Sequence, residues 1–556
     1  FEYRKLLWEQ LLSICSNNKD TVKSILYRYG QSFEEACYDV MKSDFVFIEK
    51  IINAIFSTEV LADSIIVHHI RGVFEEASIK SDAFDIYENS PKMKIYQHLS
   101  GPRISLELKH DEREKIKEKQ IQNYVDSEVD KSTCFKTLFS ICKEATGFKD
   151  AHHYDVYNGL DIALLHICND KELFVSTVSF AIQNGYVEYL SPRMIISKLF
   201  ELLSPNEIIE LIHRIESPSQ QNIWEYNFYH ELPEKIITQS IVDDFYLFLS
   251  KQGDSGLEAS SYRDITFLKK YEKIDSNIIL NSARIIFAKK EYSKFMVKIY
   301  FDMLFNQYRT SPKEVISFFE KDIYFLENLY LWFEENDDNH DYDGEYLLAL
   351  YRNNNAFLIK YIHKAYEITP KYKLDYRFRK CRVFFECNNY QEVFNTIINE
   401  ILSISQHHIR EVADVIECFA IKTKGEDVRT QKSTVWILQY IDNNALDKER
   451  MQCVFEACSN IDVERRLEFV SCFLKHNNDF EFFKSLTLTD YPSGGWSGSI
   501  VRIYTSWIEY YKKLLPLLTG LTFINHKKLI QDRIDDIQQW IVNAEISEIL
   551  ESSDNR

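Results

Sequence analysis

Five groups of residues have types and spacing that could support chemistry. The first is Asn339-His-Asp341-Tyr-Asp343-Gly344, which reads like the opening of a calcium-binding EF-hand loop. Such a loop needs a bidentate Glu at its twelfth position, and Leu350 stands there. An acidic loop between helices is the better reading. The second is Glu107-Leu-Lys109, downstream of Asp82 and Asp85. An acid followed by ExK on a strand would suit a metal-dependent nuclease, but so short a motif arises by chance in a highly charged chain. The third group is the histidine pairs His68-His69, His152-His153 and His407-His408. Adjacent helical residues diverge by about 100° and do not readily chelate one ion. The fourth is Trp496, set in Gly494-Gly495-Trp496-Ser-Gly498. An aromatic presented by so pliant a loop could anchor a partner or plug the neighbouring helices. Trp332 and Tyr390 are two further aromatic candidates for partner contact. The fifth is the cysteines. They number 11, include no CxxC, and lie mostly in apolar text, as Cys142, Cys168, Cys387, Cys418 and Cys472 do. They read as reduced core thiols of a cytoplasmic protein.

No GxxxxGK[ST], HExxH or GxSxG is present. The chain is therefore expected to be non-catalytic, with no cofactor and no bound metal. Acids outnumber bases 85 to 66, for a net charge of −19. Nucleic-acid binding relies on a basic face, so no nucleic-acid partner is expected. No membrane span, signal peptide or transit peptide is visible.

The elements that must position these residues are helices. The 556 residues include only 14 Gly and 10 Pro, far below the roughly 7% and 5% of average proteins. Sheets with tight hairpins draw on both. Apolar residues recur instead at helical spacing: Ile195, Ile196, Leu199, Leu202 and Leu203 form one stripe, and Ile208, Ile209, Leu211 and Ile212 the next. Ser204 reads as an N-cap followed by Pro205 at the first helical position, and Ser191-Pro192 and Ser311-Pro312 repeat the signal. Helices with one greasy face must stack to bury it.

A turn pattern recurs from Phe384 to Val393, with Tyr390 at its small-polar-aromatic centre. Copies centre on Lys290-Glu291-Tyr292, Asn354-Asn355-Ala356 and Asn478-Asp479-Phe480, with a weaker one at Lys171-Glu172-Leu173. These residues resemble the turn of the tetratricopeptide repeat, although only Ala356 and Tyr390 keep its 34-residue period. The expected fold is all-α: an irregular, TPR-like solenoid of helical hairpins. Three parts are expected, an N-terminal helical segment over 1–130, the repeat stack over 131–489, and a C-terminal loop with a capping hairpin over 490–556. Loops are expected over 216–222, 253–261, 334–345, 424–432 and 490–499. The charge-dense stretch 107–131 reads as a solvated helix or a linker. Phe1 opens in helical text, so the chain reads as part of a longer polypeptide.

The C-terminal text changes character. Gly498-Ser-Ile-Val501-Arg502 leads through Trp507 and Tyr511 to Pro516 and Gly520, and Leu521 leads through His526, Ile530 and Arg533 to Trp540 and Glu545. It reads as two long helices joined at Gly520, with Ile530, Ile534, Ile537 and Ile541 inward. About 60 residues here resemble the C-terminal ends of bacterial antiviral STAND NTPases, the Avs group of anti-phage proteins. The resemblance implies a helical-repeat sensor. In that family the sensor follows an effector and an NTPase, binds a phage portal or terminase large subunit, and triggers oligomerisation of its parent. This chain lacks the NTPase motif, so any ATP hydrolysis would belong to the parent. The alternatives are a scaffold that holds other domains or subunits and sees no foreign ligand, or, more distantly, the nuclease.

Overall fold

The computed structural model describes every residue except 1, 32–37, 77, 102–109, 149–152, 254–264, 303, 307–309, 337–339, 370–376, 406–407, 421–427, 490–499 and 555–556. Side chains at 2, 30–31, 38–41, 76, 110, 153, 408 and 547–554 are likewise left aside. Among the described residues every element is an α-helix or a 3-10 helix, and there is no strand. The all-α expectation holds.

The capping signals act as read. Ser204 and Glu207 form a reciprocal capping box with Pro205 at the first position, and Ser311 and Glu314 repeat it with Pro312. Ser191 also precedes a helix, Pro192–Leu202, but its side chain makes no cap; its N–H donates to Asp161 at 3.0 Å. The recurrent turns all lie at helix starts. Ala356 precedes Phe357–Ile368, Asn389 precedes Tyr390–Ile404, and Asp479 caps Phe480–Lys484. The repeat is nonetheless irregular: the segment before Tyr390, Arg379–Glu386, is a 3-10 helix.

Two of the expected loops are corrected. The helix Pro218–Glu231 begins inside 216–222, after Ser217 at its N-cap, and Val428–Asn444 begins inside 424–432. In both, Ser, Gln, Arg and Thr form the first helical turn, where exposed N–H groups favour polar neighbours. The charge-dense stretch becomes the helix His110–Ser127, with Lys117, Ile121 and Val125 buried. Ten cysteines are described; none is in a disulfide and all but Cys168 are buried, whereas Cys168 is half-buried.

The chain divides into two compact units, Phe1–Tyr262 with Thr266–Ile299, and Arg263–Ile265 with Tyr300–Arg556. In each, helices pack on the next but one. In the first unit, Glu2–Ile14 packs on Tyr38–Ile55, Lys19–Gln31 on Leu61–Glu76, and Pro192–Leu202 on Pro218–Glu231. In the second, Ile323–Asn336 packs on Phe357–Ile368, His408–Phe419 on Lys448–Ala457, and Val428–Asn444 on Val463–His476. Stacked hairpins give this pattern, because one helix of each pair rests on its counterpart in the next. One end of the first unit is a continuous apolar cluster including Trp8, Leu26, Ile48, Ile52, Phe74 and Phe84.

The second unit closes on the expected C-terminal hairpin. Val501–Leu514 and Ile524–Asp554 are joined by two short 3-10 turns about Gly520, whose φ of 88° lies in the left-handed region that glycine tolerates. Ile530, Ile534 and Ile537 are buried, while Ile541 is half-buried. No helix among the described residues is long and apolar enough to cross a membrane.

Candidate ligand-binding groove

A cavity of about 850 Å³ lies in the first unit, between Leu61–Glu76, Pro91–Ser100, His110–Ser127 and the start of His153–His166. Two local devices set its walls. Ser90 caps the second of these helices, with Pro91 at its first position. Gly159 then lets that helix come close: a Cβ there would lie 2.2 Å from the Leu99 carbonyl oxygen. Lys117 crosses beside Gly101 and donates to the Asp155 carbonyl at 2.7 Å, which supplies a partner for an otherwise buried ammonium. Burial pushes the Lys117 pKa down.

One wall carries a polar relay. His68 Nδ1 lies 2.7 Å from Glu88 Oε2, and Gln97 Nε2 donates to Glu88 Oε1. Burial raises the Glu88 pKa, but His68, Gln97 and Arg71 outweigh it and hold the carboxyl below its ordinary value. Both oxygens are therefore engaged and the group is charged at neutral pH. The other wall carries an aromatic stack: the His98 ring lies on Tyr124, centroids 5.0 Å apart and 22° from parallel. Burial lowers the His98 pKa and raises that of Tyr124, so at neutral pH this stack is uncharged. Lys94, Gln120, Asn123 and Asp155 also line it, with apolar Ile65 and Met93. Amides, imidazoles and an aromatic face suit hydrogen bonding and stacking against a polar ligand.

His69 lines the same cavity and packs edge-on against Tyr27, its ring plane 63° from that of His68. The other sequence candidates fall elsewhere. Trp332 is half-buried on Ile323–Asn336, edge-on to Phe333 at 5.2 Å. Tyr390 is half-buried between Phe385 and Phe394, with the Lys432 ammonium 5.3 Å from its ring centre. Both belong to the second unit, so neither lines the groove. Trp496, Glu107, Lys109, His152, His407 and Asn339 lie outside the described residues, as do the side chains of His153 and His408.

The calcium-like stretch has a structural task. Asp341 is buried and accepts from the Tyr330 hydroxyl at 2.6 Å and from the Tyr346 and Leu347 N–H groups at 3.1 and 2.9 Å. It thereby secures the start of Glu345–Asn353. Nearby, Glu334 is fully buried and surrounded by Lys380 at 2.9 Å, Arg377 at 3.1 Å and His340 at 3.2 Å. Burial works to raise its pKa, but Lys380 foremost, with the contact to His340, holds it far below the ordinary carboxylate range. Gly344, at φ 76°, sits where a Cβ would lie 2.4 Å from the Lys380 carbonyl.

Among the described residues no three His, Cys, Asp or Glu side chains converge as a metal site. A smaller cleft of about 250 Å³ in the second unit is lined by Trp507, Tyr511, Arg533, Asp536 and Trp540. His98, Tyr124 and Glu88 were not singled out by sequence, because nothing local marks them; only helix packing brings them to His68. Comparison with protein-family models, with curated proteins and with solved structures finds no match for this chain.

Proposed function

We propose that this chain is a recognition module that binds a folded protein, and that it serves as the sensing region of an anti-phage receptor. The observation that carries the reading is the groove: an open cavity walled by the His68–Glu88 relay and the His98–Tyr124 stack. Two features support it. The buried carboxylates Glu334 and Asp341 are spent on internal contacts, and the closing hairpin has the text that resembles antiviral STAND NTPases. In this reading the ligand is a phage portal or terminase large subunit, engagement drives oligomerisation of the parent, and the chain itself performs no catalysis.

The test is binding of the purified chain to portal and terminase proteins. Wild type is expected to bind, and Tyr124→Ala to bind at least ~10-fold more weakly, as loss of an aromatic anchor costs more than about 1.4 kcal/mol. Thermal melting of the variant separates lost contact from lost fold. If wild type binds neither protein, or if Tyr124→Ala binds as well as wild type, the reading fails.

A further inference from the structure

We infer that the tip of the C-terminal hairpin is a docking surface for an anionic lipid bilayer. The two helices run antiparallel. Tyr504 meets Trp540, with centroids 5.8 Å apart, and Arg533 reaches the Tyr511 hydroxyl at 3.5 Å, so pairing proceeds toward the 515–523 connection. The tip sits on a buried base. Leu514, Leu518 and Ile530 are buried beneath it, and His526 is buried among the rings of Phe480, Phe483 and Phe523.

On that base, apolar side chains face water. Leu521 is 88% exposed and Ile524 61%, beside exposed Pro516 and half-buried Leu515, Leu517 and Phe523. Exposed apolar residues grouped in this way mark contact sites. Four exposed lysines flank them: Lys512 and Lys513 in the last helical turn before the tip, Lys527 and Lys528 just after it. From 510 to 531 there is no Asp or Glu, in a chain where acids outnumber bases 85 to 66. Neighbouring helices bring Glu464, which pairs with Lys513 at 2.7 Å, together with Asp479, Glu481 and Lys484. Lys512, Lys527 and Lys528 form no ion pair among the described residues.

A blunt apolar tip ringed by lysines matches an anionic bilayer in two ways. The leucine and isoleucine enter the acyl boundary while the ammoniums stay at the headgroups. A stable protein partner would need about 800 Å² of shape-matched surface on this side, whereas a bilayer needs no shape match. The net charge of −19 does not prevent approach, since charges beyond the ~8 Å screening length at physiological salt are largely masked. This surface contact is distinct from crossing the membrane and independent of the groove.

Co-sedimentation of the full chain with vesicles tests it. Binding is expected to phosphatidylcholine–phosphatidylserine vesicles and not to phosphatidylcholine alone, and to fall as salt rises. Lys527→Ala with Lys528→Ala is expected to weaken binding ~25-fold, at about 1 kcal/mol per lysine. Leu521→Ser with Ile524→Ser is expected to abolish it with unchanged melting, since both side chains are exposed. Equal binding to neutral vesicles, no binding to anionic ones, or wild-type affinity in the Leu521/Ile524 variant each overturns the inference. So does loss of a protein partner from that variant when the wild type ignores vesicles.

Discussion

Two parts of the molecule use the same residue types to opposite ends. In the groove, Glu88 faces His68, with Arg71 near, and about a fifth of each of the first two side chains remains in water. In the second unit, Glu334 faces His340, Lys380 and Arg377 with no exposure at all. Water makes the difference. Near a surface, solvent screens the pair and both partners can exchange it for a ligand or for water at little cost. In a sealed interior each charge depends wholly on its partners, so the cluster cannot open without disrupting the fold. The partly exposed relay is suited to recognition and the sealed one to architecture.

Removing one partner from each cluster should separate them most widely. Lys380→Ala leaves Glu334 buried beside fewer cations and is expected to cost about 3–5 kcal/mol in urea unfolding. His68→Ala is expected to cost ~0–1 kcal/mol. Because the chain divides into two compact units, tryptophan fluorescence and circular dichroism should both be followed. Equal losses at the two sites would erase the distinction. Gly159→Ala tests the groove's frame: its Cβ would meet the Leu99 carbonyl at 2.2 Å, so the helices must part, at about 1–3 kcal/mol. Unchanged stability there would mean that the groove walls are not locked as described.

Acidity sharpens the contrast. Asp161 in the first unit is buried like Glu334, but its carboxylate accepts only from the Ser191 N–H and faces no cation among the described residues. Burial pushes its pKa from 3.8 up to about 7. The folded state then holds the proton more tightly than the unfolded chain. Stability from this group is complete below its ordinary value and is lost as pH rises from there through about 7. Glu334 has the opposite sign: its pKa is depressed, so its contribution is present above the ordinary carboxylate value and lost as pH falls below it. Asp161→Asn keeps an acceptor for Ser191 and is expected to gain on the order of 3 kcal/mol at pH 8 and little at pH 4. A gain that does not grow with pH would refute the assignment.

The fold was largely legible because helix signals are local. Ser204-Pro205 with Glu207, Ser311-Pro312 with Glu314, and the Ile530–Ile537 stripe each lie within a few residues of one another. The errors were local too: polar first turns at Pro218 and Val428 resemble loops when read by composition alone. The groove was barely legible. His68 drew notice as half of a histidine pair, but its partner Glu88 is 20 residues away on another helix, and His98 and Tyr124 are 26 apart. No periodicity encodes such meetings. The Glu334 cluster was invisible for the same reason, since Lys380 is 46 residues away.

The smallest expected effect lies in the groove's own stack. Burial holds the His98 pKa below 6.5, so the ring is neutral when it lies on Tyr124. As pH falls through 6.5 the unfolded chain takes up this proton first, and the stabilising share of the neutral ring is lost. An NMR titration of the His98 ring protons should place its midpoint below that of a free histidine. Tyr124→Ala opens the site to water and should move the midpoint back toward 6.5. A midpoint at or above 6.5 in wild type would mean that the stack is open to solvent, and the wall offered to a ligand would then be a hydrated imidazole instead of a ring buried flat against Tyr124.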